Sequence, residues 1–176
     1  MARCWVSVGS NMDRGRSIRG AVKALRERYG ELVLSRVYET EAVGFEGKPF
    51  YNLVAGFDTE TPVAELNSGL REIEDAFGRV RGADKFAPRT LDLDLLTYGD
   101  AVGRFDGCEL PRDEILRYAF VLGPLAEVAG DELHPSDGRT YREIWEAFGK
   151  GDQPIRPIAL SLDESLPRRA EGPWTE

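Results

Sequence analysis

Apolar positions along this chain switch between a period of two and a period near 3.6, and the switches divide it into elements. Cys4, Val6 and Val8 alternate with Trp5 and Ser7, which predicts a strand over 3–8. Gly9-Ser10-Asn11-Met12-Asp13 has turn composition, and Ile18, Ala21, Val22, Leu25 and Tyr29 then follow helical spacing up to Gly30. Residues 32–39 and 50–59 read as strands, separated by a loop over 40–49. Thr61-Pro62 opens a second helix, with Thr61 expected as its N-cap and Pro62 in its first turn. Val63, Leu66, Leu70, Ile73 and Phe77 form its buried stripe, and Gly78 closes it. A basic loop leads into Leu91-Asp92-Leu93-Asp94-Leu95-Leu96, a strand pattern. Beyond it come a short hairpin within 101–109, a helix containing Leu116, Phe120, Leu125 and Val128, and a last short helix over 141–148.

The order β-α-β-β-α-β is the split βαβ, ferredoxin-like pattern, an α+β class. It implies an antiparallel sheet with two helices on one face and the other face free for a site, followed by a C-terminal helical extension. Residues 1–148 read as one domain. From Gly149 Pro, Gly and charges dominate, so 149–176 reads as an extended or disordered tail.

The chemistry concentrates in the Asp92/Asp94 strand. Side chains in a strand repeat every two residues, so both carboxylates point to one face, their Cα atoms roughly 6.5–7 Å apart. Two like charges on an apolar strand repel unless a cation lies between them. A solvated face of an antiparallel strand explains the same alternation. Arg79, Arg81, Lys85 and Arg89 stand just upstream. Carboxylates suited to Mg²⁺ beside guanidinium groups are what polyphosphate chemistry requires, because Mg²⁺ takes one or two carboxylates with phosphate oxygens and arginine pairs with phosphate. A solvated basic loop is the competing reading of those four residues.

Composition narrows the choice. The chain has 176 residues, 41% hydrophobic, with a formal net charge of 23 − 31 = −8. That balance opposes general binding to nucleic acid or anionic membranes, so the local arginine cluster points to a small anionic ligand. Cys4 and Cys108 are too few for a disulfide framework or a zinc site, which fits reduced thiols in a cytoplasmic protein. No secretory signal or membrane span is legible. His134, the only histidine, sits in His134-Pro135-Ser136-Asp137-Gly138, a turn composition that gives little support to a histidine-dependent mechanism.

From about Val6 to about Pro124 the chain resembles the 6-hydroxymethyl-7,8-dihydropterin pyrophosphokinase family of folate synthesis. Pro88-Arg89-Thr90-Leu91-Asp92-Leu93-Asp94-Leu95-Leu96-Thr97-Tyr98-Gly99-Asp100 carries most of the likeness. Val8-Gly9-Ser10-Asn11, Tyr38-Glu39-Thr40, Pro49-Phe50-Tyr51-Asn52, Ile73-Glu74 with Gly78-Arg79-Val80-Arg81, and Phe120-Val121-Leu122-Gly123-Pro124 support it. The resemblance implies pyrophosphate transfer from ATP to the pterin hydroxymethyl group, with release of AMP. It implies that Asp92 and Asp94 bind two Mg²⁺ ions and that Arg79, Arg81 and Arg89 contact the ATP phosphates, partly from a loop that closes over the site. Asn52 would bond the pterin edge, Thr40 and Val43 would contact it, and Phe50 and Phe120 would sandwich the ring, with Phe86 on the closing loop. The implied partners are ATP and the reduced pterin, with no nucleic acid or membrane, in a monomer or dimer.

The chain also departs from the family pattern. Phe86 stands for the usual Trp, Arg112 followed by Asp113 for the usual His after Leu110-Pro111, Tyr118 for an Arg, and Glu41 for the Pro after Thr40, and the usual basic position upstream of Leu110-Pro111 falls near Gly107. Arg112, always charged, is expected to replace the lost phosphate contact. The alternative is a non-catalytic or altered-specificity pterin- or nucleotide-binding paralogue.

Overall fold

The computed structural model describes residues 1–40, 49–77 and 91–162. In them run β1 (Ala2–Ser10), α1 (Arg14–Tyr29), β2 (Val33–Leu34), β3 (Val37–Thr40), β4 (Phe50–Thr59), α2 (Val63–Ala76), β5 (Asp92–Tyr98), β6 (Gly103–Phe105), β7 (Cys108–Leu110), α3 (Ala119–Ala129), α4 (Tyr141–Ala147) and β8 (Ile155–Ile158). The sheet order is β5-β1-β4-β3-β8, with β2 also on β4, and every pairing is antiparallel. Strands β6 and β7 form a separate hairpin. No described helix is long and apolar enough to cross a membrane.

Alternation sorts the side chains to two faces. Cys4, Val6 and Val8 of β1, Leu53, Ala55 and Phe57 of β4, and Leu93 and Leu95 of β5 pack against Ile18, Ala21, Val22 and Leu25 of α1 and Leu66, Leu70 and Ile73 of α2. The opposite face is not wholly free, as the sequence had suggested. Trp5, Val54 and Leu96 lie under Val121, Leu122 and Leu125 of α3 and Tyr141 and Ile144 of α4. The indole of Trp5 lies across Gly56 of the neighbouring strand, where a Cβ would fall 2.2 Å from the ring. The sheet is therefore sandwiched between two helical layers, and the second layer covers only part of its face.

Several boundaries differ from the sequence reading for local reasons. The expected strand over 32–39 is broken at Ser35, whose hydroxyl accepts the Val54 N–H at 2.9 Å in place of a ladder carbonyl. Pro62, extended and without a side-chain cap, precedes α2, so Thr61 is not the N-cap. Leu116 belongs to a separate 3-10 turn, Asp113–Leu116, and is 39% exposed. Tyr118 is extended, and the helix restarts after it as α3. Within 149–176, Ile155–Ile158 pairs with β3 as the outer strand of the sheet, and Leu160 and Leu162 pack on the α1 side of the core.

Candidate functional site

One row of residues crosses the α3 face of the sheet. Asp92 of β5 stands opposite Gly9 of β1, Gly9 opposite Asn52 of β4, and Asn52 opposite Tyr38 of β3. One step away, Asp94 faces Ser7. Strands lie about 4.8 Å apart, so two strand spacings put Asp92 about 10 Å from Asn52. Asn52 is buried, and its Nδ2 donates to Thr40 Oγ1 at 2.7 Å. Its Oδ1 lies over Gly9: a Cβ there would sit 2.8 Å from that oxygen and 3.8 Å from the Phe50 ring. Phe50, opposite Thr40 at the open end of β4, is half-buried. Thr40, Asn52, Gly9 and Phe50 thus make one corner, with polar groups at its edge and a flat aromatic beside it.

Tyr38 closes the row. Burial, and then its bond to Glu127, push its phenol up to about 12, so it is a neutral donor to Glu127 Oε1 on α3. Glu127 also accepts the backbone N–H of Arg36 at 3.0 Å, which pins α3 to β3. Phe120 lies in the first turn of α3, half-buried and stacked on Tyr118 with centroids 5.1 Å apart.

On the other side of the aspartates, the free edge of β5 meets α2. There a cleft of about 150 Å³ is lined by Asn67, Leu70, Arg71 and Glu74 of α2, by Leu93, Asp94 and Leu95 of β5, and by Cys108 and Arg112. Arg112 donates from Nε to Leu95 O at 2.9 Å and from its backbone N–H to Leu96 O at 2.8 Å. Its Nη1 is 3.7 Å from Glu114 Oε1. Burial, and then the charge of Asp94, hold the Glu114 carboxyl above the ordinary range. Cys4 and Cys108 are both free thiols.

Asp92 and Asp94 are half-buried on one face, as their alternation with leucines required. Two hard oxygen donors at this spacing fit Mg²⁺, which completes its shell with water and phosphate. Among the described residues no group of three His, Cys, Asp or Glu could hold a metal by itself. Thr40, Phe50, Asn52, Asp92 and Asp94 come together along the row, Arg112 lies at the cleft, and Phe120 is on the helix covering the same face. Val43, Arg79, Arg81, Phe86 and Arg89 lie outside the described residues. Gly107 has φ 74 and follows Asp106 at φ 50, the two-residue turn of the β6–β7 hairpin. A side chain at position 107 would meet left-handed strain.

The sequence reading gave no role to Glu74, Asn67 or Arg71. A signal was present: Asn67 and Glu74, seven residues apart, are polar positions on the otherwise apolar stripe of α2, and both are buried.

Comparisons with known proteins bear on the family and the fold. The family described as 7,8-dihydro-6-hydroxymethylpterin-pyrophosphokinase (HPPK) matches residues 5–130. A 2-amino-4-hydroxy-6-hydroxymethyldihydropteridine pyrophosphokinase of Pseudomonas aeruginosa is 37% identical over 150 residues, covering 82% of this chain and 91% of that protein. One of Aquifex aeolicus is 31% identical over 164 residues, covering 92% and 99%. The folic acid synthesis protein fol1 of Pneumocystis carinii is 33% identical over 158 residues, and the chain spans 21% of its length. In fold, the wild-type HPPK-DHPS of Plasmodium falciparum aligns over 83% of this chain and 44% of that one, with a TM-score of 0.62 at 13% identity. Over the stretch that carries the aspartate strand, the corner around Asn52 and the cleft beside α2, this chain is a member of the 7,8-dihydro-6-hydroxymethylpterin-pyrophosphokinase family.

Proposed function

We infer that this chain transfers pyrophosphate from ATP to the hydroxymethyl group of 6-hydroxymethyl-7,8-dihydropterin and releases AMP. The observation that carries the reading is the placement of Asp92 and Asp94 between two dissimilar subsites. One is the flat corner of Asn52, Thr40, Gly9 and Phe50; the other is the cleft lined by Arg71 and Arg112. The corner suits a planar heteroaromatic edge, and the cleft suits an anion-bearing nucleotide.

In this reading Asp92 and Asp94 hold two Mg²⁺ ions, which, when bound, offset charge on the ATP phosphates as the β-phosphorus changes partners. Asn52, oriented by Thr40, bonds the pterin edge, with Val43 beside it. Phe50 and Phe120 enclose the ring, and Phe86 covers it. Arg79, Arg81, Arg89 and Arg112 bind and orient the phosphates. The pterin hydroxyl oxygen forms the new bond to the β-phosphorus, the bond from that phosphorus to the α-phosphate oxygen breaks, and the hydroxyl proton leaves to solvent. Positioning supplies most of the acceleration, since the two reactants are held roughly in line. Two free thiols fit a cytosolic setting.

The test is AMP formation from ATP and Mg²⁺ with and without the pterin. Pterin-dependent AMP release is the expected result. Pterin binding in calorimetry with no AMP would identify a binding paralogue and overturn the catalytic reading.

A further inference from the structure

Glu74 is a charged residue that the reaction scheme leaves unused, yet it is only 4% exposed. A carboxylate is buried at a high cost unless strong donors meet it. Here its Oε2 accepts the backbone N–H of Leu93 at 2.8 Å. Among the described residues strand β5 is the edge of the sheet, and no described strand pairs with Leu93 on its outer side. The peptide that Glu74 holds joins Asp92 to Leu93, and Leu93 separates the two aspartates. Fixing that peptide plane fixes the backbone rotations on either side of it, and with them the directions of both carboxylates. From the same outer edge, Arg112 Nε donates to Leu95 O at 2.9 Å. Residues on both sides of Asp94 are therefore held from outside the sheet by charged side chains of other elements.

We propose that Glu74 is a positioning residue for the cation site: through the Leu93 peptide it sets the separation and aim of Asp92 and Asp94 before nucleotide and metal arrive. The proposal rests on the reading of those aspartates as the cation ligands. Glu74 acts without touching the ion, in keeping with the lack of any three-residue metal group among the described residues. Outer partners of this kind commonly change metal affinity by about 10- to 100-fold. Glu74 also ties α2, which forms one wall of the cleft, to the strand that forms the other. The contact from Glu74 to Leu93 thus bears on both cleft width and carboxylate aim.

The experiment compares Glu74→Gln, Glu74→Leu and Glu74→Asp with the unsubstituted protein and with Asp94→Asn. Mn²⁺ binding is followed by electron paramagnetic resonance in the presence of a non-hydrolysable ATP analogue, and Leu93 amide exchange by NMR. Gln keeps an acceptor at the same reach, so its Mn²⁺ affinity stays within about threefold of the parent. Leu has no acceptor and Asp falls short by one methylene. Both lose about 10- to 100-fold, and in both the Leu93 amide exchanges faster. Asp serves alone if Leu fails to fold. Unchanged Mn²⁺ affinity in Asp, or Gln as impaired as Leu, overturns the proposal, because the bond to Leu93 is then not what matters. If Asp94→Asn itself binds Mn²⁺ like the parent, the reading of the aspartates fails and this proposal falls with it. Loss in Asp94→Asn beside normal binding in Glu74→Asp sinks the positioning role alone.

Discussion

At the scale of single residues, the corner depends on an atom that is missing. Asn52 can lie flat over β1 only because residue 9 has no Cβ; an alanine methyl would stand 2.8 Å from Oδ1. Gly9→Ala should push the carboxamide off its line with Thr40 and spoil the edge that meets the pterin. A misplacement worth about 1–2 kcal/mol raises the KM for pterin about tenfold, and binding of an ATP analogue stays unchanged because the cleft is on the other side of the aspartates. Steady-state kinetics with varied pterin, alongside a nucleotide titration, would read this, and an unchanged pterin KM would remove Asn52 from the site. The aspartates carry a different expectation. Both are half-buried and sit outside the apolar clusters, so Asp92→Ala and Asp94→Ala should melt close to the parent. Transfer in the same variants should fall by about 10²-fold or more, as when a charge-stabilising group is removed. Collapse of the fold in both variants would mean that the pair is structural.

At the scale of elements, the turn into α3 is held by a residue far along the chain. Gln153 Oε1 accepts the Ala119 N–H at 3.0 Å, and its Nε2 donates to Arg117 O at 3.0 Å. It supplies the cap that Tyr118, at the N-cap position, does not. Gln153→Ala should cost about 1 kcal/mol, or about 2–4 °C in melting temperature for a chain of this length. It should also weaken pterin binding, because Phe120 rides on that turn. A melting loss with pterin affinity intact would separate α3 from the site. This long-range cap also marks where local sequence runs out. The strand over 50–59 was legible to the residue, since ten positions of strand-forming composition sit between clear turn signals. The break at Ser35 was not, because it depends on a hydroxyl reaching Val54 on another strand. Nor was β8 legible: Arg156 and two prolines among four or five residues look like a tail until Glu39 pairs with Arg156 and β3 offers an edge.

At the scale of the whole molecule, the aspartate pair was legible because a period of two settles its direction, and the motif around it carried the resemblance. The cleft was not, because its walls come from α2, β5, β7 and Arg112, which only the tertiary fold brings together. The single histidine shows the same divide. Its turn composition marked it as structural, but the fold decides what its protonation does. His134 is buried, and its Nδ1 accepts the backbone N–H groups of Ser136 at 3.1 Å and Asp137 at 2.9 Å. Burial holds its pKa below the ordinary 6.5; Asp137 opposes this and Arg139 adds to it. The unfolded chain then binds this proton more readily than the native one. The contribution of His134 to stability is therefore level above about pH 7.5 and falls as pH drops through about 6.5 toward the lower native value. Glu39, held low by Arg156 and Arg14, adds a second loss only at more acid pH, below about 4.5. Glu114, held high by burial and Asp94, works in the opposite sense, so a single melting curve against pH mixes all three. His134→Asn isolates the imidazole, because an asparagine oxygen still accepts from the turn but does not titrate. Protonated Nδ1 can no longer accept, and losing those bonds costs on the order of 1 kcal/mol, about 2–4 °C. Melting temperature should fall by that much more in the parent than in His134→Asn between about pH 7.5 and 5.5. Parallel curves would show that the turn tolerates the imidazolium and that acid sensitivity lies in the carboxylates.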